Sequence, residues 1–131
     1  MDSLQLPPDC ADAMDRMGEE YLASIYGIAA KRHPDNVAVL AELGHVYTRL
    51  GRYEEGLEVD QRLVAFAPED PTVRYNLACS QSLLGQVDES LATLACALEL
   101  GYDDVEFMRA DDDLLNLRAD PRFEELLRLY E

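Results

Sequence analysis

Apolar residues recur at spacings of three and four along most of this chain, the period of helices with one buried face. Met14, Met17, Tyr21, Ile25 and Ile28 form one such stripe, which predicts a helix over 11–32 that ends at His33-Pro34. Leu40, Leu43 and Tyr47 belong to a second. Phe123, Leu126, Leu127 and Tyr130 form a last one, behind Asp120-Pro121. Phe107, Met108, Leu114, Leu115 and Leu117 are interrupted by Asp111-Asp112-Asp113, so short helical turns are expected on either side of a solvated, helix-capping acidic break. There is no sustained period-2 alternation and no Asn-Gly or Asp-Gly hairpin, so nothing speaks for strands. The expected class is all-α.

The polar positions carry a longer period of 34 residues. His33-Pro34-Asp35-Asn36 returns as Ala67-Pro68-Glu69-Asp70 and again as Gly101-Tyr102-Asp103-Asp104. In the same register Leu43-Gly44 aligns with Leu77-Ala78, Leu50-Gly51 with Leu84-Gly85, and Gly56-Leu57 with Ser90-Leu91. Each copy reads as two helices. Asp35 or Asn36 serves as N-cap of the first copy; Asp70 caps the second, with Pro71 in its first turn. Gly51 and Gly85 stand where a first helix must stop. The second helices are expected from about Tyr53 to Phe66 and from about Val87 to Leu100. Gly44 and Ala78 on the first helices, and Gly56 and Ser90 on the second, are small enough to let paired axes approach closely.

With these residues in place, the sequence resembles the tetratricopeptide repeat (TPR) family. The first copy shows Leu40-x-x-Leu43-Gly44-x-x-Tyr47, then Gly56 and Pro68. The second shows Leu77-Ala78, Gly85, Ser90-x-x-x-Leu94 and Ala97. It departs from the family pattern at Leu40 and Arg74 (for tryptophan), Asp60 (for an aromatic), Gln81 (for tyrosine) and Tyr102 (for proline). The resemblance implies an α-α superhelix of stacked antiparallel helix pairs, with two full repeats and helical caps. Its expected division is 1–10 flexible, 11–34 a capping half-repeat, 35–68 and 69–102 the repeats, and 103–131 degenerate capping helices. The helix over 11–32 would lay its apolar stripe on the open face of the first repeat. The piece from Leu117 to Phe123 is similar to a tail that closes bacterial TPR arrays.

Charge narrows the partners. The chain has 131 residues, 27 acids and 11 bases, a formal charge of −16, and 48% hydrophobic residues. That is enough apolar content for one packed domain. Nucleic-acid phosphates and anionic membrane surfaces call for a basic surface, so neither is an expected partner. No apolar run approaches the roughly 18 residues of a membrane span. The first residues carry neither the basic nor the apolar region of a secretory signal. Cys10, Cys79 and Cys96 show no C-x-x-C spacing, and a reducing cytoplasm is the expected setting.

No G-x-S-x-G, P-loop, H-E-x-x-H or G-x-G-x-x-G is present, and no enzyme, cofactor or metal site is expected. Asp111-Asp112-Asp113 lacks the alternation, glycine and distal glutamate of a Ca²⁺ loop. His45 and Cys79 hold equivalent places in adjacent copies. A thiol–imidazole pair there, with Glu42 one turn before His45, is a remote possibility for Cys79-dependent chemistry. The TPR resemblance implies a better use of the same surface, a concave groove built from successive first helices that holds a peptide or partner helix. Candidate groove residues are Glu42, His45, Arg49, Tyr75, Asn76 and Cys79. Asn76 matches an asparagine that family members use on peptide backbones, and Tyr75 would add a rigid contact surface. Of the carboxylate-clamp subgroup's residues only Asn76 is kept. A basic or neutral-apolar segment is therefore the expected partner rather than an acidic tail. The expected function is a non-catalytic protein–protein interaction module. The alternative is a small acidic chaperone for a secreted or assembling client. A homodimer is possible because two repeats are few for a stable stack.

Overall fold

Local signals of capping and termination set the helix boundaries. The computed structural model describes residues 8–131, with side chains from residue 15 onward. The flexible segment expected over 1–10 lies outside the described residues at 1–7. Helix α1 spans Pro8–Arg32, three residues earlier in the chain than expected, followed by α2 (Val37–Arg49), α3 (Tyr53–Phe66), α4 (Pro71–Leu83) and α5 (Val87–Glu99). Three short helices follow: α6 (Val105–Ala110), α7 (Leu115–Arg118) and α8 (Pro121–Arg128), with a 3-10 turn at Asp112–Leu114 before α7. No strand occurs among the described residues.

The caps recur in register. Asn36 accepts the amide of Val39 at 3.1 Å, Asp70 accepts that of Thr72 at 2.9 Å, and Asp104 accepts that of Phe107 at 3.0 Å. Such a cap contributes about 1 kcal/mol. At the other end, Gly51 and Gly85 both adopt φ +75°, which ends α2 and α4 without a Cβ penalty. The amides just beyond them fold back, Arg52 onto the Tyr47 carbonyl at 2.8 Å and Gln86 onto Gln81 at 2.9 Å.

The register runs beyond the two full repeats that were expected. Helices α2, α4 and α6 begin 34 residues apart, and so do α3, α5 and α8. The C-terminal segment is thus a third helix pair whose first helix is broken at Asp111, where the backbone turns extended (φ −74°, ψ 115°).

Adjacent helices pack in antiparallel order and the core runs between them. Leu40, Leu43, Val59 and Leu63 fill the first pair. Leu91, Leu94, Leu98, Met108, Leu114, Leu117, Phe123 and Leu127 fill the second and third. A Cβ at Gly44 would lie 3.2 Å from Asp60 Oδ1 and 3.5 Å from Val59, so α2 and α3 do approach closely there. In the second pair Ser90 stands in Gly56's place and donates its hydroxyl to the Ala78 carbonyl at 2.6 Å.

The N-terminal helix corrects one expectation. Met17, Tyr21, Ile25 and Ile28 do not cover the first repeat but are exposed, by 70% at Met17 and 67% at Tyr21. The packed face carries Ala23 and Ala30, both buried, beside Leu22 and Tyr26. Small residues bring α1 close to α2. Ion pairs from Glu19 to Arg49 (3.0 Å) and from Glu20 to Arg52 (3.3 Å) hold this rotation. The side chain of Met14 lies outside the described residues.

Candidate functional site

Successive first helices present equivalent positions to one concave side. His45 on α2 and Cys79 on α4 are followed, 34 residues on, by Asp113 in the broken third helix. All three line a cavity of about 370 Å³. Arg49, Tyr75 and Asn76 line it too. Five of the six candidate groove residues therefore share one cavity. Glu42 is the exception: it is exposed on α2 and does not line it.

Sequence reasoning missed six more of the lining residues. Tyr102, Phe107, Asp111 and Asp113 arrive from the C-terminal segment, and Asp60 with Ser80 from the helix interface. Asp113 could have been found by extending the His45–Cys79 series one more period. Asp60 carried a signal as well, being polar where the next repeat has the fully buried Leu94.

Tyr75 is not the exposed contact surface that was expected. It is buried, and its hydroxyl donates to Asp111 Oδ2 at 2.5 Å. Its ring stacks on Tyr102, centroids 4.3 Å apart, and Phe107 tilts against it at 6.1 Å. Phe107 remains half-exposed at the cavity mouth. Burial, then the neighbouring Cys79 and Asp111, push the Tyr75 hydroxyl well above its usual range, so it stays a donor.

The acidic break is likewise not a solvated turn. Asp111 does cap, accepting the Asp113 amide at 3.0 Å, but Asp111 and Asp113 are half-buried and face the groove; only Asp112 is exposed. Burial, then Asp111 and Asp112, raise the Asp113 carboxyl. Asp60 is buried and accepts the Ser80 hydroxyl at 2.5 Å; burial pushes it up to about 6 against that hydrogen bond.

Cys79 lies 3.9 Å from Asp111 Oδ2. Burial, then the Asp111 and Asp113 carboxylates, push its thiol up, the opposite of what an activated nucleophile needs. No hydrogen bond joins Cys79 to His45, or His45 to Glu42, among the described residues. Cys79, Asp111 and Asp113 bring their ligand atoms within 4.8 Å of one another, the one such group among the described residues that could hold a metal. Arg49 bonds Glu19 on α1. The two described cysteines, Cys79 and Cys96, are free thiols. No helix among the described residues is long and apolar enough to cross a membrane.

Known proteins agree with this architecture. The chain matches no protein-family profile. It is 36% identical over 91 residues, 67% of its length, to a chloroplastic protein of Arabidopsis thaliana, and 31% identical over 74 residues, 56% of its length, to a protein O-mannosyl-transferase of Homo sapiens. The matched stretches span 27% and 8% of those two proteins. The solved structure of a MamA RS-1 ArsTM double mutant superposes on 91% of this chain, and 70% of that one, with a TM-score of 0.63 at 20% identity. The stacked helix pairs at a 34-residue period and this likeness give the chain a TPR-type superhelical fold.

Proposed function

We propose that this chain, a TPR-type repeat protein, is a protein-interaction module that holds a segment of a partner in its concave groove. The observation that carries this is a cavity lined in turn by α2, α4 and the broken third helix, with Asn76 and His45 among its lining residues. Asn76 offers a donor and an acceptor at once, which suits an extended backbone. Carboxylates outnumber free cations around the cavity, and the chain carries −16, so a basic or neutral-apolar segment is favoured over an acidic tail. Nucleic acid and anionic membranes are disfavoured for the same reason. A reducing compartment such as the cytoplasm suits the free thiols of Cys79 and Cys96, the cysteines among the described side chains. The groove residues bind rather than react, and the raised Cys79 thiol argues against a thiol-dependent step.

The test is a native-lysate pull-down with mass spectrometry, wild type beside an Asn76→Ala/Phe107→Ala variant of matched helicity. Asn76 and Phe107 are used because Tyr75 is part of the fold. A partner lost only with the variant supports the groove. A partner retained by both moves the interface elsewhere. A client that is insoluble without this chain and co-purifies stoichiometrically would instead mark the chaperone alternative.

The exposed stripe on α1 supports self-association as a second property. An antiparallel α1–α1 contact would bury Met17, Tyr21, Ile25 and Ile28 of both copies.

A further inference from the structure

None of the three cavity carboxylates has a counter-charge, and one of them also accepts no hydrogen bond among the described residues. Asp111 is engaged on both oxygens, by the Asp113 amide and the Tyr75 hydroxyl, and Asp60 accepts Ser80. Asp113 accepts no hydrogen bond and forms no ion pair among the described residues, although it is half-buried. Its carboxylate lies within 4.8 Å of that of Asp111. Arg49, which also lines the cavity, is paired with Glu19 of α1 at 3.0 Å rather than with these carboxylates. Beside the carboxylates stands an aromatic wall of Tyr102 and Phe107, the latter 49% exposed. Two close carboxylates next to ring faces are complementary to a planar cation.

We propose that this cavity receives one arginine side chain of the bound segment, with its guanidinium across Asp113 and Asp111 and its stem along Phe107 and Tyr102. The inference rests on the groove reading above and gives that reading a sequence preference. A volume of about 370 Å³ is at the small end of ligand sites, so it takes a side chain and not a helix. Arginine fits better than lysine because its flat fork meets two acceptors and lies on a ring at the same time. A metal ion fits less well. The third ligand would be the Cys79 thiol, which is raised by burial and would have to lose its proton.

The experiment is selection of random linear peptides displayed on phage against the intact chain. Affinities of the enriched peptides are then measured by calorimetry, with circular dichroism melts to confirm that each variant folds. The expected result is an arginine shared among the binders. Replacing it by citrulline, or changing Asp113→Asn, should weaken binding by about tenfold or more, while Asp112→Asn, at an exposed carboxylate, changes it by less than about twofold. Binders that lose affinity with Phe107→Ala but need no cation overturn this inference and leave the groove reading standing. Binders indifferent to Phe107→Ala and Asn76→Ala, or no binders at all, overturn both. Binding that a chelator abolishes would assign the carboxylates to a metal ion and overturn the arginine.

Discussion

The Tyr75 hydroxyl donates to Asp111 Oδ2 at 2.5 Å, joining residues 36 positions apart. That bond fastens the acidic break of the third helix pair to α4, and so makes the C-terminal segment a wall of the groove. Tyr75→Phe keeps the stack on Tyr102 but removes the donor from a half-buried carboxylate. It should cost about 1–3 kcal/mol, read as a lower urea midpoint at unchanged slope. Tyr75→Ala also removes the ring and should cost about 3–5 kcal/mol.

Asp60 gives the fold a pH signature. Its folded-state value of about 6 lies above the ordinary 3.8, so the native state holds this proton more tightly than the unfolded chain does. The corresponding stability is fully present below about pH 4 and is lost as pH rises to about 6. Asp60→Asn, a neutral isostere that still accepts Ser80, should therefore be more stable than wild type by about 2–3 kcal/mol above pH 6. The difference should shrink toward zero by about pH 4. Thermal melts of both proteins across this range check it; a pH-independent difference would count against the assignment.

Two glycines at one helix contact should respond with opposite signs. A Cβ at Gly56 meets neighbours no closer than 3.6 Å, and Ser90 already occupies the equivalent place in the next pair. Gly56→Ala should gain up to about 1 kcal/mol from helix propensity. At Gly44 the new Cβ would press on the buried Asp60 carboxylate at 3.2 Å. Gly44→Ala should lose that gain and destabilise by about 1 kcal/mol or more. Chemical denaturation of the two single variants makes the comparison.

The α1 stripe is open to a direct test. If it is the self-association surface, Ile25→Asp should shift light-scattering mass toward the monomer without lowering helicity, because Ile25 is exposed and outside the core. A wild-type mass that stays monomeric across a wide concentration range removes the dimer.

The parts of the fold legible in the sequence are those written locally. Asn36 and Asp70 mark helix starts because a side-chain oxygen three or fewer residues away can satisfy an orphan amide. Gly51 and Gly85 mark ends because φ +75° excludes most side chains. The same local logic holds at Asp104 and at Asp120-Pro121, which start the helices of the third pair in register. By contrast, α1 carries two apolar faces at the same helical period, and periodicity cannot choose between them. The structure chose the small face of Ala23 and Ala30, where α2 can come close and Arg49 and Arg52 can reach Glu19 and Glu20.

The candidate site divides along the same line. Its repeating positions, His45 and Cys79, followed from the 34-residue period alone, since residues one period apart fall on the same face of neighbouring helices. The order of residues was enough to dictate an all-α chain of stacked helix pairs, its caps and stops, and its net negative charge. Packing in three dimensions was needed to break the third helix at Asp111, to turn Asp111 and Asp113 into the groove, and to bury Tyr75 beside them. Those outcomes depend on contacts between residues far apart in the chain, whose burial and charge no local window contains.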